Sequence, residues 1–291
     1  MTIDVSEYGR LPVGELVAQA LTHNLPIDHW SPSSLAMFQR CPYQWQQRYI
    51  HGIKARPAEA PVTGTVVHAA IERNFAQKIA SHEDLGIVEL LDWYAEDAFP
   101  RIALEEQERS GMEILWDTTP DKARARGRVM LSEYHGNVAP RIQPEAVELR
   151  IAVDFGLGVP VEGRFDVDRP VSVIDVKTGR QARKTPKEDW NIQAAVYAKA
   201  RNKPVEFHSV GASPKTNSVK IYTPLEEEAL LVHPTVAQRD ELARSLQAIA
   251  RYACFLMSEL GPDEPWPTLG RFHTWACGWC GYRSGCPAWK E

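Results

Sequence analysis

The stretch Glu162-Gly-Arg-Phe-Asp-Val-Asp-Arg-Pro-Val-Ser-Val-Ile-Asp-Val-Lys-Thr-Gly179 constrains this chain more than any other. Apolar and polar residues alternate on both sides of Arg169-Pro170, the pattern of two strands joined by a tight turn. Successive side chains of a strand point to opposite faces. On the second strand Asp175 and Lys177 therefore share one face, while Ile174 and Val176 take the other. On the first strand Asp166 and Asp168 share a face, opposite Phe165 and Val167. Antiparallel pairing around the turn sets Asp166 across from Val173 or Asp175. Two carboxylates and one ammonium then converge on a sheet surface. Paired carboxylates suit a hard divalent cation. A lysine beside them adds positive charge for a phosphate or for an attacking hydroxide. An edge hairpin with a solvated charged face has the same pattern, so the neighbouring segments must decide.

Composition narrows the class. The 291 residues are ample for one large or two small domains, with 44% hydrophobic and 24% charged residues, the balance of a soluble globular protein. The net charge of −5 excludes a uniformly basic nucleic-acid coat and leaves room for a local basic groove. No apolar run approaches the roughly 20 residues needed to cross a bilayer, so no membrane association is expected. Met1 to Arg10 lack the apolar stretch of a signal peptide, and a cytoplasmic location is the expectation.

Before the hairpin, a short amphipathic helix is expected over Val13 to His23. Another is expected after Ser31-Pro32, a cap and first-turn pair, ending near Cys41-Pro42. A second short helix carries Trp45 and Tyr49. Gly64 is read as opening a stronger helix over Thr65 to Ala80. Val67, Ile71, Phe75 and Ile79 mark its buried stripe, with His68 and Glu72 on a neighbouring face. Residues 81–140 read as a helical insertion. Its basic run, Lys122, Arg124, Arg126 and Arg128, is either a solvated face or a phosphate contact. Strands are expected at Val147 to Phe155, Val205 to Ala212 and Ser218 to Tyr222. Helices are expected at Asp189 to Arg201 and Thr235 to Leu260. Gln193 and Tyr197 are four apart and share a helix face. Taken singly, His68, Gln193 and Tyr197 are ordinary structural or surface residues.

Their order is informative. A helix with His, a strand with Asp, a strand with Asp-x-Lys and a helix with Gln-x3-Tyr together resemble the PD-(D/E)XK nuclease superfamily. More narrowly, the chain resembles the RecB-like nucleases and the CRISPR-associated iron–sulfur exonucleases related to them. The matching pieces are Gly64-Thr-Val-Val-His68, Gly163-Arg-Phe-Asp166, Ile174-Asp-Val-Lys-Thr-Gly179 and Gln193-Ala-Ala-Val-Tyr197. Ser31 to Pro42 and the terminal cysteines add two more, so the resemblance spans residues 31–287. It implies one α/β nuclease domain over residues 1–291, with a mixed central sheet flanked by helices and a helical insertion at 81–140. It also implies that Asp166, Asp175, His68 and the Val176 carbonyl bind a catalytic Mg²⁺ or Mn²⁺. Lys177 would polarise the attacking water and stabilise charge on the phosphate. Gln193 and Tyr197 would orient the lysine and the DNA strand. Glu72 and Asp168 are expected behind these residues, and Glu162 and Asp154 on the surface.

Cys277-x2-Cys280-x5-Cys286 with the distant Cys41 supplies four thiolates, a set that suits zinc or an iron–sulfur cluster. A zinc ribbon more often presents two Cys-x2-Cys arms. A lone ligand directly before a proline, as in the iron–sulfur relatives, favours a [4Fe–4S] staple joining Cys41 to the tail, residues 261–291. Cys254 reads as a core thiol. The tail aromatics Trp266, Phe272, Trp275, Trp279, Tyr282 and Trp289 are expected to shield the cluster, or in part to stack on bases. The expected activity is metal-dependent exonucleolytic cleavage of single-stranded or frayed DNA ends, in recombination, repair, or phage or CRISPR DNA processing. The chain has no Gly-x4-Gly-Lys-Ser/Thr loop, so a helicase or recombination partner would act in trans. A non-catalytic module binding DNA ends or a partner is the alternative. The intact Asp166, Asp175 and Lys177 speak for an enzyme.

Overall fold

The computed structural model describes residues 24–213, 218–268, 274–278 and 280–289. The helix expected over Val13 to His23 lies outside these residues. Helices α1 (Pro32–Arg40), α2 (Pro42–Tyr49), α3 (Glu59–Ser81), α4 (Ile87–Trp93), α5 (Phe99–Ser110) and α6 (Pro120–Asn137) come first. Strands β1 (Ala146–Val153), β2 (Val161–Arg169) and β3 (Ser172–Gly179) follow. Next come α7 (Glu188–Arg201), β4 (Val205–Ala212), β5 (Val219–Tyr222), β6 (Leu231–Val232), α8 (Val236–Glu259) and α9 (Thr274–Gly278). The sheet runs β1-β2-β3-β4-β5, with β6 also on β4. The β2–β3 and β4–β5 pairs are antiparallel and β3–β4 is parallel, with α7 as the crossover. This is the mixed α/β architecture expected from the sequence.

The chain divides into two compact units. One takes the chain up to Ile53, Asp154–Val161 and Asp240 onward; the other takes Lys54–Val153 and Glu162–Arg239. In the larger unit α3, α4, α5 and α6 close over one face of the sheet. Val67, Ile71, Phe75, Leu90, Ile102 and Leu131 meet Val167, Ile174, Val176 and Val210 in a single apolar cluster. The helices of residues 81–140 thus supply part of the layer that covers the sheet.

Three details depart from the sequence reading. Helix α3 begins at Glu59 and runs straight through Gly64. A Cβ at Gly64 would stand 2.6 Å from Thr178 Oγ1, so the glycine serves close approach of α3 to β3. Ile79 is exposed, and Lys78 is buried instead, donating to Asp84 and to the Ala139 carbonyl, both at 2.8 Å. Steps of four advance about 40° beyond a full turn each, so three steps carry Ile79 off the buried stripe. Arg126, in the basic run, is 8% exposed and donates to Glu59 Oε1 at 2.6 Å. A buried, paired guanidinium is not a phosphate contact.

The smaller unit is organised by aromatics. Ser31 caps α1 through a reciprocal capping box with Ser34. Trp45 stacks between Trp30 and Trp266, at centroid distances of 5.1 and 5.7 Å, with Phe38 edge-on. Gln46 donates to the carbonyls of Pro262 and Glu264 and accepts from Trp266 N–H. Tyr43 Oη donates to the Gly285 carbonyl at 2.6 Å, and Tyr282 Oη to that of Ile53 at 3.0 Å. Hydrogen bonds and stacking therefore join α1 and α2 to the tail.

Candidate active site

The site lies on the β2–β3 hairpin of the larger unit. The turn falls on Pro170-Val171, one residue later than the sequence suggested. Asp168 pairs with Val173 and Val167 with Ile174. One step further along this register sets Asp166 opposite Asp175. Val176 N–H donates to Asp166 Oδ2 at 2.5 Å, and His68 Nδ1 from α3 lies 3.0 Å from Asp166 Oδ1. Lys177 Nζ stands 2.5 Å from Asp175 Oδ2 and donates to Gln193 Oε1 at 2.6 Å. It also sits 5.8 Å over the Trp190 ring and 5.7 Å over Phe207. Tyr197 Oη is 2.7 Å from the Arg164 carbonyl and 3.3 Å from Asp175 Oδ1. The structure brings all six side chains, His68, Asp166, Asp175, Lys177, Gln193 and Tyr197, into one connected cluster.

Burial and charge set the protonation of this cluster. Burial pushes the His68 imidazole down, but Asp166 beside it more than offsets this and the net shift is upward. Burial pushes the Asp166 carboxyl up; His68, the Val176 N–H and Lys177 outweigh it and hold the carboxyl below its ordinary range. At Asp175 burial wins, reinforced by Asp166 and only partly countered by Lys177, so its carboxyl is raised. The two carboxylates thus differ in the way expected of neighbours that cannot both ionise freely. Tyr197 is held neutral by burial and by the two aspartates.

Among the described residues no three His, Cys, Asp or Glu side chains close on a single-ion position. The donor chemistry at the hairpin nonetheless fits a hard divalent cation. Two carboxylates face one another beside an imidazole, oxygen and nitrogen donors of the kind such a cation takes, and Asp175 Oδ2 is paired with Lys177 Nζ at 2.5 Å. With Nδ1 of His68 on Asp166, the other ring nitrogen is the one left for a ligand. The Lys177–Asp175 and His68–Asp166 pairs supply positive charge to the same carboxylates that a cation would use.

Asp168 is 1% exposed and is clamped by Arg201 and by Lys203 Nζ at 2.9 Å. Its partners lie at and beyond the end of α7, away from the His68 pair, which makes it a structural ion. Glu162 and Asp154 are exposed, as expected.

Sequence reasoning missed Glu148. It is the one acid of β1, at φ +50°, and its Oε2 lies 2.5 Å from Arg164 Nε. Burial lifts its carboxyl to about 7, with Asp166 and Glu72 adding to the effect and Arg164 and His68 opposing it. The alternation Val147, Leu149, Ile151, Val153 against Glu148 was the available signal. Glu148, Arg164, His68, Glu72 and Thr178 line a cleft of about 520 Å³.

The four predicted cluster cysteines all belong to the smaller unit. Cys41, Cys277, Cys280 and Cys286 are each partly buried. Burial raises the Cys280 thiol, and the charges of Cys41, Cys286 and Cys277 raise it further. Cys254 lies apart and buried in α8.

A fold with paired aspartates and a lysine on a β-hairpin, flanked by a histidine helix and a Gln-x3-Tyr helix, defines a class of phosphodiester-cleaving proteins. The profile of the PD-(D/E)XK nuclease superfamily matches residues 29–287, and the chain belongs to that superfamily. Its members generally use divalent metals such as Mg²⁺ or Mn²⁺. No curated protein matches the chain. Among solved structures, a Eubacterium rectale protein described provisionally as an exonuclease is similar at 12% identity and TM-score 0.46, covering 87% of this chain and 88% of its own. SSO0001 is similar at 15% identity and TM-score 0.39, covering 97% and 98%. At TM-scores below 0.5 neither likeness carries an argument about activity. No helix among the described residues is long and apolar enough to cross a membrane.

Proposed function

We propose that the chain is a metal-dependent deoxyribonuclease that trims single-stranded or frayed DNA ends. The observation that carries this reading is the cluster itself: Asp166, Asp175 and Lys177 are held together by His68, Gln193 and Tyr197 from two separate helices. Asp166, Asp175, His68 and the Val176 carbonyl are the proposed holders of Mg²⁺ or Mn²⁺. Such an ion supplies an acidified water and offsets charge on the phosphate when bound. Gln193 fixes the Lys177 ammonium, which in turn faces the reacting water and the non-bridging phosphate oxygens. Tyr197 keeps Asp175 and the β2 backbone in register. The trimmed strand would reach this protein in recombination, repair, or phage or CRISPR DNA processing, with unwinding supplied by a helicase or recombination partner.

We further propose a [4Fe–4S] cluster at Cys41, Cys277, Cys280 and Cys286. The support is the donor set: a lone cysteine directly before a proline with a Cys-x2-Cys-x5-Cys tail, all in the smaller unit, with the charges of Cys41, Cys277 and Cys286 acting on Cys280. Anaerobic purification followed by iron and sulfide analysis tests this; a colourless, iron-free and fully folded protein overturns it.

The activity is tested with end-labelled linear and circular single strands in Mg²⁺, Mn²⁺ or chelator, with Lys177→Met as control. Linear strands should be shortened only with metal and only by the wild type. Equal degradation by Lys177→Met would show that the site is misassigned, and equal cutting of circles would remove the end requirement.

A further inference from the structure

We propose that Arg164 reads the DNA backbone phosphate next to the one being cut, and that Glu148 is the residue that positions it. The inference rests on the nuclease reading and adds to it a residue pair from the cleft that His68 also lines. Arg164 lies two residues before Asp166 on β2, so the two side chains emerge on one face of the sheet. Its backbone is fixed by the Tyr197 hydroxyl on its carbonyl, 2.7 Å away. Glu148 Oε2 stands 2.5 Å from Arg164 Nε, and the Arg164 side chain, 58% exposed, lines the cleft. A guanidinium held by Nε presents a planar fork of N–H donors, the geometry that pairs bidentately with phosphate oxygens.

Two further observations point the same way. Glu148 holds a left-handed backbone inside a strand, a strained conformation for a non-glycine residue that collects at functional sites. Among the described residues that line the cleft, Arg164 is the one permanent cation, while Glu72 and Glu148 are acids. A phosphate is repelled by Glu72 and welcomed at Arg164, so the pair sets the register of the strand relative to His68 on the same wall.

The test uses short single strands carrying one neutral methylphosphonate, stepped through each linkage near the cleaved end. Cleavage kinetics are read in Mn²⁺, and binding by fluorescence anisotropy in chelator. With the wild type, one linkage beside the cut should lose about 10- to 100-fold in kcat/KM when neutralised, as expected for losing charge-assisted hydrogen bonds. Arg164→Gln should show that loss on the unmodified strand and no further loss at that linkage. Glu148→Gln should raise KM severalfold with kcat held, which a general structural defect would not do. A full methylphosphonate penalty in Arg164→Gln, or unchanged kinetics, overturns the inference while leaving the nuclease reading intact. Arg164-dependent binding at one linkage without any cutting would sink the nuclease reading and leave the phosphate contact standing. Neither binding nor cutting by the wild type refutes both.

Discussion

Removing the charge of Lys177 should unfold the metal-free protein more readily as well as silence it, and the two effects can be separated. The ammonium is 21% exposed and Asp175 only 6%, at 2.5 Å. Coulomb's law at an effective dielectric near 20 gives roughly 7 kcal/mol of attraction at that distance. Desolvation of both ions cancels much of it, but deleting one partner strands the other, at about 3–5 kcal/mol. Lys177→Met retains the aliphatic packing over Trp190 and Phe207 and isolates the charge. At about 2–4 °C per kcal/mol for a unit of this size, the melting temperature in chelator should fall by roughly 10 °C.

The sign with pH follows from Asp175. Burial and Asp166 already hold its carboxyl above the ordinary 3.8, with Lys177 opposing. Without the lysine it rises further. A folded state that holds a proton more tightly than the unfolded one loses stability as pH climbs above the unfolded value. The Lys177→Met deficit should therefore be largest near pH 8 and shrink toward pH 4. Adding Asp175→Asn removes the stranded charge, so the double variant should return to within about 1 kcal/mol of wild type in stability while remaining inactive. Melts in chelator across that range, beside nuclease assays, decide the matter. A single variant as stable as wild type at pH 8, or a double variant no better than the single, would refute the reasoning.

Other perturbations follow from the same structure. Glu59→Gln strands the buried Arg126 and weakens the hold on Thr118, so chemical denaturation should show a loss of about 3–5 kcal/mol that Arg126→Met added in cis largely restores. Gly211→Ala would place a Cβ 1.9 Å from the Ala182 backbone nitrogen and 2.3 Å from the Gln181 carbonyl carbon. Neither can swing aside, so the loop after β3 must shift, with a loss near 3 kcal/mol and faster amide exchange around residues 180–183. Metal-free wild type should lose stability as pH rises between 4.5 and about 7, because folded Glu148 keeps its proton over that window. Glu148→Gln should flatten that slope by on the order of 1–3 kcal/mol in pH-dependent melts.

What was legible in the sequence was whatever depends on spacing alone. Alternation places Asp175 with Lys177, and a four-residue step places Gln193 with Tyr197, whatever the rest of the chain does. The observed contacts between Lys177 and Gln193 and between Tyr197 and Asp175 are consequences of those two periods meeting at one sheet. Partners brought together by tertiary structure were not legible. Asp168 was expected behind the site residues, sharing a face with Asp166. Its fate was decided by Arg201 and Lys203, more than thirty residues on. Arg126 looked like part of a basic surface until Glu59 appeared at the start of a helix that the sequence seemed to begin at Gly64.

Glu148 shows the limit most clearly. A glutamate carries no turn or cap preference that would announce a positive φ, and an acid that alternates with apolar residues beside Arg150 reads as a solvated residue. Its environment exists only once β1 lies beside β2, where Arg164 and Asp166 give it one attractive and one repulsive neighbour. The hairpin, with charges on alternate positions, specifies where chemistry can occur. The adjacent strand and helix determine how each of those charges is held, and hence which carboxylate is lowered and which is raised.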